Sequence, residues 1–187
     1  MKKFLYFSFL LVIITNLTAC AKQISSPAEK NFNILCCLIN MRLEYMKDVA
    51  AYKYKHNIPI EDKKHEKVVI AASVASAQKL GISASTAKDF LILQIKLAKK
   101  IQARWIQHWK KDGIPQDYIP MDLKRKVRPR LIIIGNQIIL HLKTLKKYRL
   151  PAKLKRQILE SKIRVEYISE DDKMMLLKAI DTIEKND

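Results

Sequence analysis

The chain contains few residues that interrupt helices. Its 187 residues include only three glycines, Gly81, Gly113 and Gly135, and six prolines, most of which lie at segment ends. Alternating apolar and polar runs bounded by Asn-Gly or Asp-Gly turns are missing, which argues against β-hairpins. The long stretches between these breaks are rich in Ala, Leu, Ile, Lys and Gln, which favour helices. The sequence therefore predicts an all-α protein, a helical bundle with three long helices and a C-terminal helical lobe.

Cysteine is also sparse, with three in the chain. This number and spacing exclude a disulfide framework and a cysteine-based zinc site. Cys36 and Cys37 are adjacent, and neighbouring side chains on a helix point about 100° apart, so they do not readily pair. We expect both to be small buried hydrophobic residues. His56, His65 and Glu66 lack ligand spacing on one helix face, so no metal site is predicted.

Residues 1–20 have the features of an export signal. Lys2 and Lys3 precede an apolar stretch, 4–17, that is too short to span a bilayer comfortably. Leu17-Thr18-Ala19-Cys20 is typical of a lipobox, in which Cys20 is lipidated and becomes the new N-terminus. The alternative is an ordinary signal peptide cut after Ala21. Both interpretations predict a periplasmic or secreted protein, and the first predicts anchoring to a membrane by a lipid on Cys20.

The chain is strongly basic, with a formal charge of +18 that falls by two if Lys2 and Lys3 are removed with the signal. Such a charge favours anionic partners, namely nucleic acid, lipid head groups or an acidic small molecule. Exported proteins rarely meet nucleic acid, so we expect no nucleic-acid partner. Most of the lysines are interpreted as solvated helix faces. The basic segment 124–130 is an alternative site for a lipid or a polyanion.

The rest of the chain divides into a polar tether at 21–30, a helical core at 31–112 and a helical lobe at 113–187. Pro59 and Gly81 are expected to separate the first three helices. Glu61 and Asp62 suit the first turn of the second helix, where the dipole favours acids. The helices are expected at about 31–56, 59–80, 83–111, from 121 or 129 to 148, from 151, and from 169.

Two cations on the first helix suggest a binding function. Arg42 and Lys53 are 11 residues apart, which is about three turns, so a helix presents both on one face. A stripe of this kind, flanked by apolar residues, is suited to holding a small dianion.

The same helix resembles that of the AroQ-type chorismate mutases, specifically their secreted gamma subclass. The similarity covers roughly residues 34–130. It is carried by 38–53, by Pro59-Ile60-Glu61-Asp62, and by Phe90, Gln94-Ile95, Ala98-Lys99-Lys100-Ile101-Gln102 and Arg104-Trp105.

The resemblance implies a monofunctional chorismate mutase that needs no cofactor, metal or nucleophile. It converts chorismate to prephenate by a pericyclic (Claisen) rearrangement of a dicarboxylate. Such a protein selects the reactive conformer with cations and donates hydrogen bonds to the ether oxygen as it becomes more negative. The family also implies a homodimer with each site built within one chain.

The resemblance implies four residues that contact the reacting atoms of the substrate or the groups next to them. Arg42 corresponds to an arginine that binds a substrate carboxylate. Lys53 corresponds to the lysine that contacts both a carboxylate and the ether oxygen. Gln102 corresponds to the second donor to that oxygen, and a glutamine donates at every pH. Glu66 corresponds to the glutamate that accepts a hydrogen bond from the ring hydroxyl.

The resemblance also implies a second group of substrate-binding residues. Asp62 helps to orient the site, and Ala98 lies one turn before the glutamine on the same face. His65 stands where relatives often have arginine or glutamine against a carboxylate, and it adds charge only if protonated. Arg128 best matches an extra arginine from the C-terminal half, although Arg125 and Arg130 compete with it.

The alternative function is that of a non-catalytic exported helical lipoprotein that binds anionic ligands or the envelope surface. Such a relative is expected to have lost Arg42, Lys53 or Gln102, and the sequence keeps all three. The two hypotheses differ in whether these side chains and Glu66 converge on one site.

Overall fold

A computed structural model of the chain describes residues 25–145, 147 and 149–186. The protein is 78% helical and, within the described residues, contains no strand, which confirms the all-α prediction. The predicted export signal and Cys20 lie outside this part of the chain. No helix within the described ranges is long and apolar enough to cross a membrane.

Seven α-helices and one π-helical turn are described in this part of the chain. Their bounds are α1 Pro27–Glu44, α2 Met46–Lys55, α3 Lys63–Lys79, α4 Ala84–Asp112, the π-helical turn Leu123–Val127, α5 Arg128–Leu145, α6 Ala152–Lys162 and α7 Glu170–Asn186.

The first helix starts at Pro27, earlier than the predicted residue 31. Its N-terminus is capped by a residue of the segment predicted to be a tether. The side chain of Ser26 accepts a hydrogen bond from the Glu29 amide at 3.1 Å, and Pro27 occupies the first turn. Residues 27–30 are therefore helical. Between α1 and α2, Tyr45 keeps a helical backbone, and the Val49 amide donates to its carbonyl at 3.1 Å. The two helices thus continue in one direction.

The second predicted helix begins at Lys63 rather than Pro59, because Asp62 is its N-cap, whereas the predicted C-terminal ends of this helix and of the next are confirmed. Asp62 caps α3 by accepting from the His65 amide at 3.0 Å, and Gly81 follows the helix with a φ of +78°. Ser83 caps α4, which ends at Gly113 with a φ of +76°. Both glycines adopt the left-handed conformation that favours glycine after a helix.

The core forms where α1 packs against α5 and α2 packs against α4. The Tyr54 hydroxyl donates to the Trp109 carbonyl at 3.5 Å, at the ends of α2 and α4. Trp105 and Trp109 are buried and stack with ring centroids 5.2 Å apart, as core packing predicts. Cys36 is fully buried, but Cys37 is exposed. The expectation for Cys37 is wrong because only one of two adjacent helical side chains faces the core.

The C-terminal helices pack onto this core. Helix α5 runs antiparallel to α1. The side-chain amide of Asn31, near the start of α1, donates to the His141 carbonyl near the end of α5 at 3.0 Å. Ser169 and Asp172 form the predicted capping box at the start of α7, since each side chain accepts from the other's amide. The buried Asp172 also pairs with Lys100 of α4, which joins α7 to the long helix.

Candidate active site

Lys53 lies close to three of the predicted site residues, Asp62, Glu66 and Arg128. It is half-buried on α2, and its ammonium donates to the Ile60 carbonyl at 2.5 Å. Burial lowers its pKa, and the nearby negative charges of Asp62 and Glu66 partly offset that effect. The structure therefore brings these two carboxylates, predicted from sequence, into electrostatic range of Lys53.

The first turn of α3 fixes Asp62 and Glu66 relative to each other. Asp62 caps the helix through its carboxylate, and Glu66 accepts from the Asp62 amide at 3.3 Å. This reciprocal pattern resembles a capping box, but the returning side chain comes from the fourth helical residue instead of the third. It positions the Glu66 side chain, which is mostly shielded from solvent, whereas the His65 side chain on the same turn is exposed. Asp62 thus fixes the first turn of α3 through backbone contacts.

Lys99 is a site residue that sequence reasoning missed. Its ammonium donates to Glu66 at 3.1 Å and to Glu61 at 3.3 Å. The hydrogen bond to Glu66 is the main reason why its pKa is raised. Its positive charge in turn lowers the pKa of Lys53. Lys99 and Glu66 lie 33 residues apart on different helices, so no local spacing could have indicated this pair.

Gln102 and Ala98 occupy the buried face of α4 opposite the first helix. Gln102 is only 5% exposed, and its amide nitrogen donates to the Ala98 carbonyl at 3.2 Å and to the Met46 sulfur at 3.4 Å. Its amide oxygen is buried and has no partner among the described residues. Thioether sulfur is a weak acceptor, so the Gln102 amide can exchange the Met46 sulfur for a stronger hydrogen-bond acceptor.

Arg42 places a second cation on the continuous stripe formed by α1 and α2. The residue is half-buried, and burial lowers the pKa of its guanidinium. No ion pair joins Arg42 to a carboxylate within the described ranges. A desolvated cation without a counter-charge is unfavourable, so an anion bound beside Arg42 would stabilise this region.

The three arginines that compete in the sequence lie in different surroundings. The positive charge of Arg128 lowers the pKa of Lys53, so Arg128 lies near that ammonium. Arg130 instead donates to the Tyr45 hydroxyl at 3.2 Å. Arg125 lies inside the π-helical turn, where its amide donates to the Asp122 carboxylate at 2.7 Å. Arg128 follows that turn, a type of irregularity that often occurs at functional sites.

A loop contact ties the arginine-bearing segment to α2. The carboxylate of Asp48 accepts from the Tyr118 hydroxyl at 2.9 Å and from the Met121 amide at 3.0 Å. Burial, together with Asp48, raises the pKa of Tyr118. The loop before the π-helical turn is thus fixed to the helix that carries Lys53, which limits where Arg128 can lie.

The assembled groups suit one kind of chemistry. Arg42 and Lys53 lie on one helical stripe, and Gln102 contacts that stripe through Met46. Partly buried cations beside a neutral amide donor can bind a dianion and donate hydrogen bonds to a third position. Among the described residues, no group of three or more His, Cys, Asp or Glu side chains could hold a metal ion.

Comparisons with known proteins agree on one family. A family model described as chorismate mutase type II matches residues 33–103. Over 72 residues the chain is 46% identical to the secreted chorismate mutase of Yersinia pestis, an alignment that covers 38% of this chain and 39% of that relative. Over 178 residues it is 24% identical to the monofunctional chorismate mutase of Enterobacter agglomerans, covering 95% and 97% of the two chains.

The fold is similar to a solved structure from the same group. The crystal structure of secreted chorismate mutase from Yersinia pestis superposes with a TM-score of 0.72 and 29% identity, over 79% of this chain and 94% of that one. The segment matched by the family model contains Arg42, Lys53, Glu66 and Gln102. Arg128 lies beyond it, in the part covered by the longer alignments.

Proposed function

Because the chain belongs to the type II chorismate mutase family, we propose that it converts chorismate to prephenate. In this rearrangement a carbon–oxygen bond breaks while a carbon–carbon bond forms within one molecule. The protein therefore has to hold a folded dicarboxylate and stabilise charge on the ether oxygen. The observation that carries the proposal is that half-buried Arg42 and Lys53 share one continuous helical stripe, opposite buried Gln102.

Arg42 and Arg128 bind the two carboxylates of the substrate. The planar guanidinium of Arg42 donates two parallel hydrogen bonds to one carboxylate, which replaces the counter-charge it lacks. Arg128, near Lys53, is assigned to the other carboxylate. Fixing both ends of the substrate selects the compact conformer in which the reacting carbons approach each other.

Lys53 and Gln102 stabilise the transition state at the ether oxygen. An ammonium has three donors, so Lys53 can keep its hydrogen bond to Ile60 and still donate to the substrate. Gln102 donates from the opposite helix once its amide leaves the sulfur of Met46. Negative charge on the ether oxygen grows as its bond breaks, so both contacts strengthen in the transition state and raise kcat.

Glu66 and its neighbours orient the ring of the substrate. The carboxylate of Glu66 is assigned to accept from the ring hydroxyl, while Lys99 and the Asp62 amide hold it in place. Ala98 lines the site without a polar group and leaves space beside Gln102. His65, exposed on the first turn of α3, is assigned to the rim of the site, where it contacts a carboxylate.

An absorbance assay of chorismate loss tests this function with the purified mature protein. Lys53→Ala is expected to lower kcat by a factor of about 10²–10³, because it removes a transition-state donor. The control is Lys55→Ala, since Lys55 is exposed on the same helix and should leave the rate unchanged. Circular dichroism checks that each variant is folded. A folded wild-type protein that causes no loss of chorismate would refute the proposal.

The protein is further proposed to work outside the cytoplasm as a lipid-anchored homodimer. The export signal and the lipobox that ends at Cys20 support this location, and one relative is named a secreted chorismate mutase. Cys20→Ser should move the protein from the membrane fraction to the soluble fraction. A mutant that stays in the membrane fraction would argue against the anchor, and light scattering of the mature protein tests the dimer.

A further inference from the structure

Gln94 is a buried polar residue whose amide makes no hydrogen bond with the described residues around it. Its side chain is 1% exposed, and neither its amide nitrogen nor its amide oxygen has a hydrogen-bond partner in the described part of the chain. Buried polar groups in native proteins are nearly always paired. An apolar side chain of the same size would pack here without this penalty, so the amide calls for a functional reason.

The position of Gln94 on α4 connects it to the proposed site. Gln94, Ala98 and Gln102 are spaced by four residues, so they form one row on a single face of the helix. All three are buried. The row therefore begins at the donor assigned to the ether oxygen and continues two turns deeper into the bundle.

The neighbouring helix places Arg42 beside this row. Gln102 contacts Met46, and α4 runs parallel to the first two helices, since their C-terminal ends also meet. Counting back four residues on both helices brings Arg42 level with Ala98. Side chains on both helices lean toward the N-terminus, and the longer side chain of Arg42 reaches further than that of Gln94, which brings its guanidinium closer to the level of the Gln94 amide.

We propose that Gln94 is a further substrate-binding residue, whose amide N–H donates to the carboxylate bound by Arg42. This assignment rests on the proposed chorismate mutase function. A carboxylate has about four lone-pair sites, of which a bidentate arginine uses two. A neutral donor can fill another without adding charge to a site that already contains several cations. Substrate binding would then satisfy an amide that is unpaired in the free protein.

The variant Gln94→Met separates this role from a structural one. Methionine has a similar length but lacks the amide. The carboxylate keeps its charge throughout the reaction, so the lost contact should raise KM about tenfold and leave kcat within about twofold. The melting temperature should stay the same or rise, because an unpaired buried amide has been removed. Gln107→Met, at an exposed position of the same helix, is the matched control.

A second variant, Gln94→Glu, tests the proximity to Arg42. A carboxylate at this position would pair with the guanidinium and compete with the substrate, so KM should rise above that of Gln94→Met. Protonation at low pH should reverse part of this increase, because a neutral acid no longer competes. This pH dependence would be absent if Gln94 were remote from Arg42.

The outcomes distinguish this assignment from the function on which it rests. An active wild type with an unchanged KM in Gln94→Met would overturn the assignment alone. So would a KM increase accompanied by a fall of more than about 5 °C in melting temperature, since the amide would then be structural. An inactive but folded wild type would overturn the proposed function and the assignment together.

Discussion

The ammonium of Lys53 donates to the Ile60 carbonyl at 2.5 Å. This hydrogen bond joins the last turn of α2 to the segment that enters α3. It uses one of the three donors of the ammonium and fixes the direction of the other two. The Pro59-Ile60-Glu61-Asp62 motif thus contributes a backbone carbonyl as well as the cap of α3.

The desolvation of Lys53 predicts an alkaline limit to activity. Burial lowers its pKa from the ordinary value of 10.5, and only the protonated amine carries the positive charge assigned to the transition state. The pKa of a group in the free protein appears in kcat/KM, so we expect kcat/KM to fall as pH rises through a pKa below that value. A kcat/KM profile between about pH 7 and pH 11 measures this limit.

Lys53→Arg is the control for the alkaline limit. Arginine stays charged across this range, so the variant should have a lower kcat, because its shape differs, but a flat alkaline profile. The same decline in both proteins would assign the limit to another group.

Gln102→Glu is predicted to make the reaction dependent on acid. A glutamine donates at every pH, but a glutamate must be protonated to donate to the ether oxygen. Burial raises the pKa of a carboxyl group, so the variant should gain activity as pH falls and lose about 10²-fold or more near neutral pH. The measurement is kcat as a function of pH for both proteins. The kcat of wild type should stay constant as pH falls, whereas that of the variant should rise. A pH-independent loss would mean that Gln102 acts through packing.

The helices were largely predictable from sequence because their ends depend on local chemistry. Asp62, Ser83, Gly81 and Gly113 cap or end helices through contacts within a few residues. The start of α1 was missed because the polar composition of the tether outweighed the capping signal of Ser26. Helix spacing also placed Arg42 and Lys53 on one stripe, although a turn at Tyr45 separates the two helices.

Contacts between distant helices were not predictable. The pair formed by Lys99 and Glu66 depends on how α3 packs against α4, which no sequence interval encodes. The burial of Gln94 was also hidden, since a glutamine at that position equally suits a solvated face. Sequence favoured Arg128 but left Arg125 and Arg130 in competition with it, because their surroundings depend on how the π-helical turn packs.

Arg128 is predicted to contribute more to substrate binding than Arg130. Arg128→Ala removes a charged hydrogen bond to a carboxylate, which should raise KM about tenfold to a hundredfold. Arg130→Ala removes a contact with the Tyr45 hydroxyl and should change KM by less than about threefold. Steady-state kinetics of the two variants provide the comparison. The reverse order would assign the carboxylate to Arg130.

The partial burial of His141 beside Asn31 predicts a loss of stability in mild acid. The two side chains lie 2.6 Å apart between ring Nδ1 and amide oxygen, and burial lowers the pKa of His141 from 6.5. In the unfolded chain this histidine takes up its proton at the higher pH. The contribution of neutral His141 to the free energy of unfolding is thus complete above about pH 6.5. It is lost as pH falls through the pKa of His141 in the folded protein.

Urea unfolding of wild type and His141→Asn at about pH 7.5 and about pH 5 measures this effect. Asparagine can place an amide donor near the position of the ring nitrogen but does not titrate. The free energy of unfolding should therefore fall less between the two pH values in the variant than in wild type. An equal fall in both proteins would place the acid sensitivity outside this contact between α1 and α5.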